Sequence, residues 1–124
     1  MCTIQEISDL ISNFKTNACG DDNVSPVMLQ YCSPSLVSYI VHIINCCIET
    51  AYFPSSWKTS IILPLPKKST IASLSDLRPI RILPALSKLF EKILYKQISD
   101  YVNTNNILPP CQSGFREGTV LLQL

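Results

Sequence analysis

Trp57-Lys58-Thr59-Ser60-Ile61-Ile62-Leu63-Pro64-Leu65-Pro66-Lys67-Lys68, followed after a polar link by Asp76-Leu77-Arg78-Pro79-Ile80, decides how this chain folds. The β-branched and aliphatic runs over 59–65 and 79–83 read as two strands. Proline cannot donate to a ladder, so Pro64, Pro66 and Pro79 confine both to ribbon or edge positions. A two-stranded antiparallel ribbon of this kind brings Lys67 and Arg78 together at one end, a usable grip for phosphate. The link over 69–75, rich in small hydroxyl residues, is expected to be a mobile connection.

Working outward, both flanks read as helical. Ile4, Ile7, Leu10, Ile11 and Phe14 recur at helical spacing, and Asn17 to Asn23 is a turn. Ser25-Pro26 reads as an N-cap with proline at the first helical position, and Ser33-Pro34 repeats the signal. Two helices are therefore predicted, over 26–32 and 34–51, the second apolar on most sides and destined for the core. Tyr52-Phe53-Pro54 ends it. From Ala85 to about Asn103, Leu86, Leu89, Phe90, Ile93, Leu94, Ile98 and Tyr101 form one apolar stripe, with Lys88, Lys92 and Lys96 along a shared flank. A loop with Pro109-Pro110 follows, and Thr119 to Leu124 starts a further helix. The class is α+β, mostly helical with a two-stranded antiparallel ribbon.

The bulk numbers fit one domain. Of 124 residues, 47% are apolar and 15% charged, which excludes a disordered chain. Charge is unevenly spread: up to Trp57 the only base is Lys15, whereas Lys58 to Asp100 holds eight bases against three acids. A basic second half suits a protein offering one side to polyanions; solvated helix faces explain the charge equally well. The six cysteines show no C-x-x-C spacing and His42 is alone, so no metal site is predicted. Met1 to Lys15 is polar and acidic rather than a secretory signal, so an intracellular protein with reduced, mostly buried thiols is expected. The apolar segment Ser33 to Tyr52 is interrupted by Ser38, His42, Asn45 and Glu49, which favours a buried helix over a membrane span.

Two readings stay open for each candidate residue. Lys67 and Lys68 are a phosphate clamp or a solubilising turn. Arg78 is a rigid fork for an anion, or the partner of Asp76 in an ordinary salt bridge. The Lys88, Lys92 and Lys96 row tracks a nucleic-acid backbone or is an exposed flank. Gln112-Ser113-Gly114-Phe115-Arg116 combines a glycine that admits another backbone with an aromatic and a base that can stack on a template strand. Asp21-Asp22 lies in a turn before a helix, where carboxylates cap more often than they bind metal.

In order, these pieces resemble the fingers region of reverse transcriptases from non-LTR (LINE-type, jockey-like) retrotransposons. Gly20 to Pro26 resembles the family's G-x-D-G-[IV] segment, with Asn23 where glycine is usual. Phe53 to Lys58 resembles P-x-x-W-K, and Leu63 to Lys67 resembles P-[IL]-P-K. Arg78-Pro79-Ile80 matches R-P-I, Ser87 to Lys92 matches S-K-x-x-E-[KR], and Gln112 to Arg116 matches Q-S-G-F-R. The resemblance implies a partial reverse transcriptase domain over residues 1–124, the fingers and palm entry of a right-hand polymerase fold. It implies that Lys67 and Arg78 hold the triphosphate of an incoming nucleotide. Lys88, Gln112, Gly114, Phe115 and Arg116 then fall along the path of an RNA template and DNA primer.

Two departures qualify the match. The run Glu117 to Leu121 is shorter than the family's usual continuation. The palm carboxylates, an aspartate motif and a [YF]-x-D-D turn, have no counterpart in these 124 residues. Two-metal nucleotidyl transfer needs them, so magnesium and deoxynucleoside triphosphates are expected of the longer parent enzyme. In this chain no catalytic or metal residue and no cofactor is assigned, and primer extension by it alone is expected to give no product. The alternatives are a non-catalytic nucleic-acid-binding module and the product of a decayed reading frame.

Overall fold

A computed structural model describes residues 1–109. Thr3 opens the first helix, α1 (Ile4–Ser12), through a capping box in which its hydroxyl accepts from the Glu6 N–H and the Glu6 carboxylate accepts from the Thr3 N–H. Ile7 and Ile11, one turn apart, are fully buried. Helix α2 (Pro26–Glu49) starts at the expected cap: Ser25 Oγ accepts from the Met28 N–H at 3.1 Å, and Pro26 takes the first helical position. In the turn before it, Asp22 accepts from the Val24 N–H at 3.1 Å and Asn23 adopts a left-handed φ of 57°. Asparagine tolerates that backbone better than most residues.

The two helices predicted over 26–32 and 34–51 are one. Pro34 sits inside α2 without ending it. Its ring removes the N–H that would bond the Gln30 carbonyl, at a cost of about 3 kcal/mol in a helix interior. Continuity keeps the buried row aligned: at 100° per residue, Leu29, Ile40, Ile44 and Cys47 lie within roughly 60° of one another, and all four are buried. A break at Pro34 would take Leu29 out of that row. Nor is α2 the all-round core helix expected from composition. By length and composition it could cross a membrane, but one side packs on α1 while Tyr31 and Tyr39 stand 84% and 67% exposed.

Two amide side chains fasten α1 and the N-terminal residues to α2. Gln30 Nε2 donates to the Ile11 and Ser12 carbonyls at 3.0 and 3.3 Å, at the C-terminal end of α1 where helix carbonyls lack partners. Asn45 exchanges hydrogen bonds with the Cys2 backbone, accepting at 2.8 Å and donating at 3.0 Å. Helix α2 then stops in a Schellman cap. The Ala51 N–H bonds the Ile48 carbonyl at 3.3 Å and the Tyr52 N–H bonds the Cys47 carbonyl at 3.0 Å, with Ala51 at φ 51°.

A short 3-10 turn over Ser55–Lys58 leads into β1 (Ile61–Pro66), which pairs antiparallel with β2 (Leu77–Ile82). Both strands differ from the predicted runs by two residues at the start and one at the end, and the two-stranded ribbon stands. The Lys67 N–H donates to the Asp76 carbonyl at 2.7 Å. Antiparallel bonding alternates, so the pairs Leu65↔Arg78, Leu63↔Ile80 and Ile61↔Ile82 exchange hydrogen bonds, whereas Pro66↔Leu77, Pro64↔Pro79 and Ile62↔Arg81 face outward. Every proline thus falls where its missing N–H would have pointed to the ribbon's outer edge. That blunts both edges against strand addition.

Helix α3 (Ala85–Thr104) follows. The chain divides into two units: Met1–Lys92, holding α1, α2, the ribbon and the first turns of α3, and Ile93–Leu124. In the first unit Ala85, Leu89 and Phe90 are buried and the rings of Phe53, Trp57 and Phe90 cluster with centroids 5.4 to 6.2 Å apart. Ser87 is fully buried and its hydroxyl donates to the Trp57 carbonyl at 3.0 Å. Gly20 packs against the backbone of Pro84, where an added Cβ would lie 2.6 Å from the Pro84 nitrogen. In the second unit α3 ends in another Schellman cap, with Asn106 at φ 49° and the Ile107 N–H on the Val102 carbonyl. Of the predicted stripe, Leu89, Phe90 and Ile93 are buried, Leu86 and Leu94 are half-buried, and Ile98 and Tyr101 are exposed. The helix expected from Thr119 lies outside the described residues.

Candidate phosphate-binding ribbon

Directly opposed residues of an antiparallel pair share a face, and the face repeats every second residue. Arg78 opposes Leu65, and Lys67 follows Leu65 by two. The register therefore places Lys67 and Arg78 on one face of the ribbon as diagonal neighbours at its tip. Arg81, opposite Ile62, belongs to the other face. Below the two bases the shared face carries Ile61, Leu63, Leu65, Ile80 and Ile82; of these, only Ile82 is not exposed.

The link between the strands is organised rather than featureless. Asp76 ends a 3-10 turn over Leu74–Asp76, and its carboxylate accepts from the Ala72 and Ser73 N–H groups at 3.1 and 3.2 Å. Lys68 Nζ donates to the same carboxylate at 3.0 Å. Lys67 Nζ donates to the Ser75 carbonyl at 2.7 Å. The hydrogen bond from Lys68, then those from the backbone, hold the Asp76 carboxyl below the ordinary aspartate range. The salt bridge considered between Asp76 and Arg78 does not form. Lys68 takes the carboxylate, leaving the Arg78 guanidinium without a side-chain acceptor among the described residues. Sequence reasoning missed the part played by Asp76, although Ser73-x-x-Asp76 is a capping-box spacing.

Lys88 is placed differently. It sits in the first turn of α3, half-buried, with Nζ donating to the Ala18 carbonyl at 3.2 Å, so it ties the segment before α2 to α3. Lys92 lies over the Phe14 ring at 4.6 Å, a cation–π contact. The first unit thus brings Lys67 and Arg78 together on the ribbon and keeps Lys88 on the body. Gln112, Gly114, Phe115 and Arg116 lie outside the described residues.

Elsewhere, an apolar niche of about 10 Å³ lined by Ile40, Ile43, Ile44, Trp57 and Leu86 has room for little more than a water. Among the described residues no three His, Cys, Asp or Glu side chains gather in one place. The thiols are less buried than expected. Only Cys2 and Cys47 are buried among the five described, and burial raises both thiol pKa values.

Fold and site together define an α+β helical body carrying a basic-tipped antiparallel ribbon, an arrangement suited to gripping a polyanion. Comparison with known proteins gives that class a lineage. The chain is 32% identical over 117 residues to the probable RNA-directed DNA polymerase from transposon BS of Drosophila melanogaster, covering 93% of this chain and 13% of that protein. It is 31% identical over 118 residues to the probable RNA-directed DNA polymerase from transposon X-element, and 25% identical over 116 residues to that of mobile element jockey, both of Drosophila melanogaster. Those matches cover 94% and 92% of this chain and 13% of each relative. No family model matches. The chain is a distant homologue of the reverse transcriptases of jockey-like non-LTR retrotransposons, and it spans about 13% of the length of these relatives.

Proposed function

We propose that this chain carries the fingers portion of a non-LTR retrotransposon reverse transcriptase, with Lys67 and Arg78 gripping the triphosphate of an incoming deoxynucleotide. The observation that supports this most directly is the ribbon register, which sets a flexible ammonium and a planar guanidinium side by side on an exposed face. An ammonium supplies a compact point charge and a guanidinium a fixed fork, a combination matched to neighbouring phosphates. In the longer polymerase, magnesium would neutralise charge on the leaving pyrophosphate. The residues of this chain bind and orient the triphosphate. Lys88, Gln112, Gly114, Phe115 and Arg116 are assigned to the path of the RNA template and DNA primer.

The test is binding of a deoxynucleoside triphosphate and of tripolyphosphate to the full chain over a range of salt. Affinity is expected to fall with ionic strength. Lys67→Ala and Arg78→Ala are each expected to weaken it about tenfold, the scale of one charge-assisted hydrogen bond. Unchanged affinity in both variants overturns the assignment. Salt-dependent binding of an RNA–DNA duplex that triphosphate does not compete for points instead to a non-catalytic module that tracks the nucleic-acid backbone.

A further inference from the structure

Lys67 would be a poor anion ligand if left to itself. A lysine stem on an exposed two-stranded ribbon samples many rotamers, and each must be given up when the ammonium engages a phosphate. The link between β1 and β2 removes much of that freedom in advance. The Ser75 carbonyl holds Lys67 Nζ at 2.7 Å, and the Asp76 carbonyl holds the Lys67 N–H at 2.7 Å. Both carbonyls belong to a turn that closes on one carboxylate. Asp76 accepts from the Ala72 and Ser73 N–H groups and from Lys68, while its own N–H donates to the Ser73 carbonyl at 3.1 Å. The hydroxyls of Ser73 and Ser75 share a further hydrogen bond of 2.6 Å.

We propose that Asp76 is a positioning residue for the anion grip: by closing this turn it fixes the Ser75 carbonyl, which keeps the Lys67 ammonium on the ribbon face that carries Arg78. The proposal rests on the reading of Lys67 and Arg78 as phosphate ligands given above. A carboxylate near an anion site repels the anion, so a bystander Asp76 would weaken binding and its removal would tighten it. A positioning Asp76 does the opposite. Its negative charge is already engaged by Lys68 and two N–H groups, and what its removal costs is the order of the turn.

Tripolyphosphate binding to the full chain separates these cases. Asp76→Ala is expected to bind about three- to tenfold more weakly, the cost of ordering one long side chain on binding. Asp76→Asn retains an oxygen for the Ala72 and Ser73 N–H groups and is expected to restore most of that loss. Equal or tighter binding by Asp76→Ala overturns the proposal. A wild-type measurement guards against misfolding of the variant: the Ala72 and Ser73 amides should exchange with solvent more slowly than those of Ser69 and Thr70. Equal exchange of the four amides also overturns it. Lys67→Ala, measured alongside, separates the two layers. If it binds normally, Lys67 is not a phosphate ligand and this inference fails with that part of the reading. If it binds weakly while Asp76→Ala does not, only the role of Asp76 falls.

Discussion

The ribbon and the helical body that carries it are held by different means. In the body, apolar side chains are removed from water: Ile7, Ile11, Ile44 and Leu89 are fully buried, and Phe53, Trp57 and Phe90 form one aromatic cluster. In the ribbon every residue from Ile61 to Lys68 is exposed, and order comes from ladder hydrogen bonds and from one carboxylate at the tip. The contrast separates the motifs by work. Gly20 packs on Pro84, and the Phe53 to Lys58 and Ser87 to Lys92 segments meet in the body, whereas Lys67 and Arg78 stand on the ribbon.

The largest expected effect tests the body. Trp57→Ala removes the buried indole from the aromatic cluster and should cost about 3–5 kcal/mol in denaturant unfolding, as core aromatic truncations do. Leu63→Ala on the ribbon should change stability by less than about 0.5 kcal/mol. Comparable losses would break the distinction. A smaller effect of opposite sign tests α2: Pro34 is exposed within a continuous helix, so Pro34→Ala should raise stability by about 1–3 kcal/mol. A loss would mean that the two-helix reading describes the chain better.

The smallest effect concerns the ribbon tip. The folded-state Asp76 carboxyl is depressed, so its contribution is complete above the unfolded aspartate value of about 3.9 and is lost as pH falls through the lower folded value. The Ala72 and Ser73 amide resonances should therefore titrate with a midpoint below about 3.9. A midpoint at or above that value would show that the carboxylate is not held as described.

Several features were legible because they are local. Ser25-Pro26 announces a helix start whatever surrounds it, and prolines at alternating positions announce a strand with no inner neighbour. The same local logic misled at Ser33-Pro34, where the cap signal is as strong but the helix runs through. It misled again at Asp76, where the nearest base in the strand, Arg78, was the obvious partner and the base across the link, Lys68, is the actual one. Lys88 looked like part of an exposed row, yet its ammonium reaches the Ala18 carbonyl, seventy residues away in the chain.

Strand identity, helix spacing and charge asymmetry follow from the residues alone, because each depends on neighbours within a turn or two. Which cations are engaged within the fold, and by which partners, was decided only by tertiary structure. A hydrogen bond between distant residues depends on how the chain returns on itself, and spacing along the sequence carries no record of that distance.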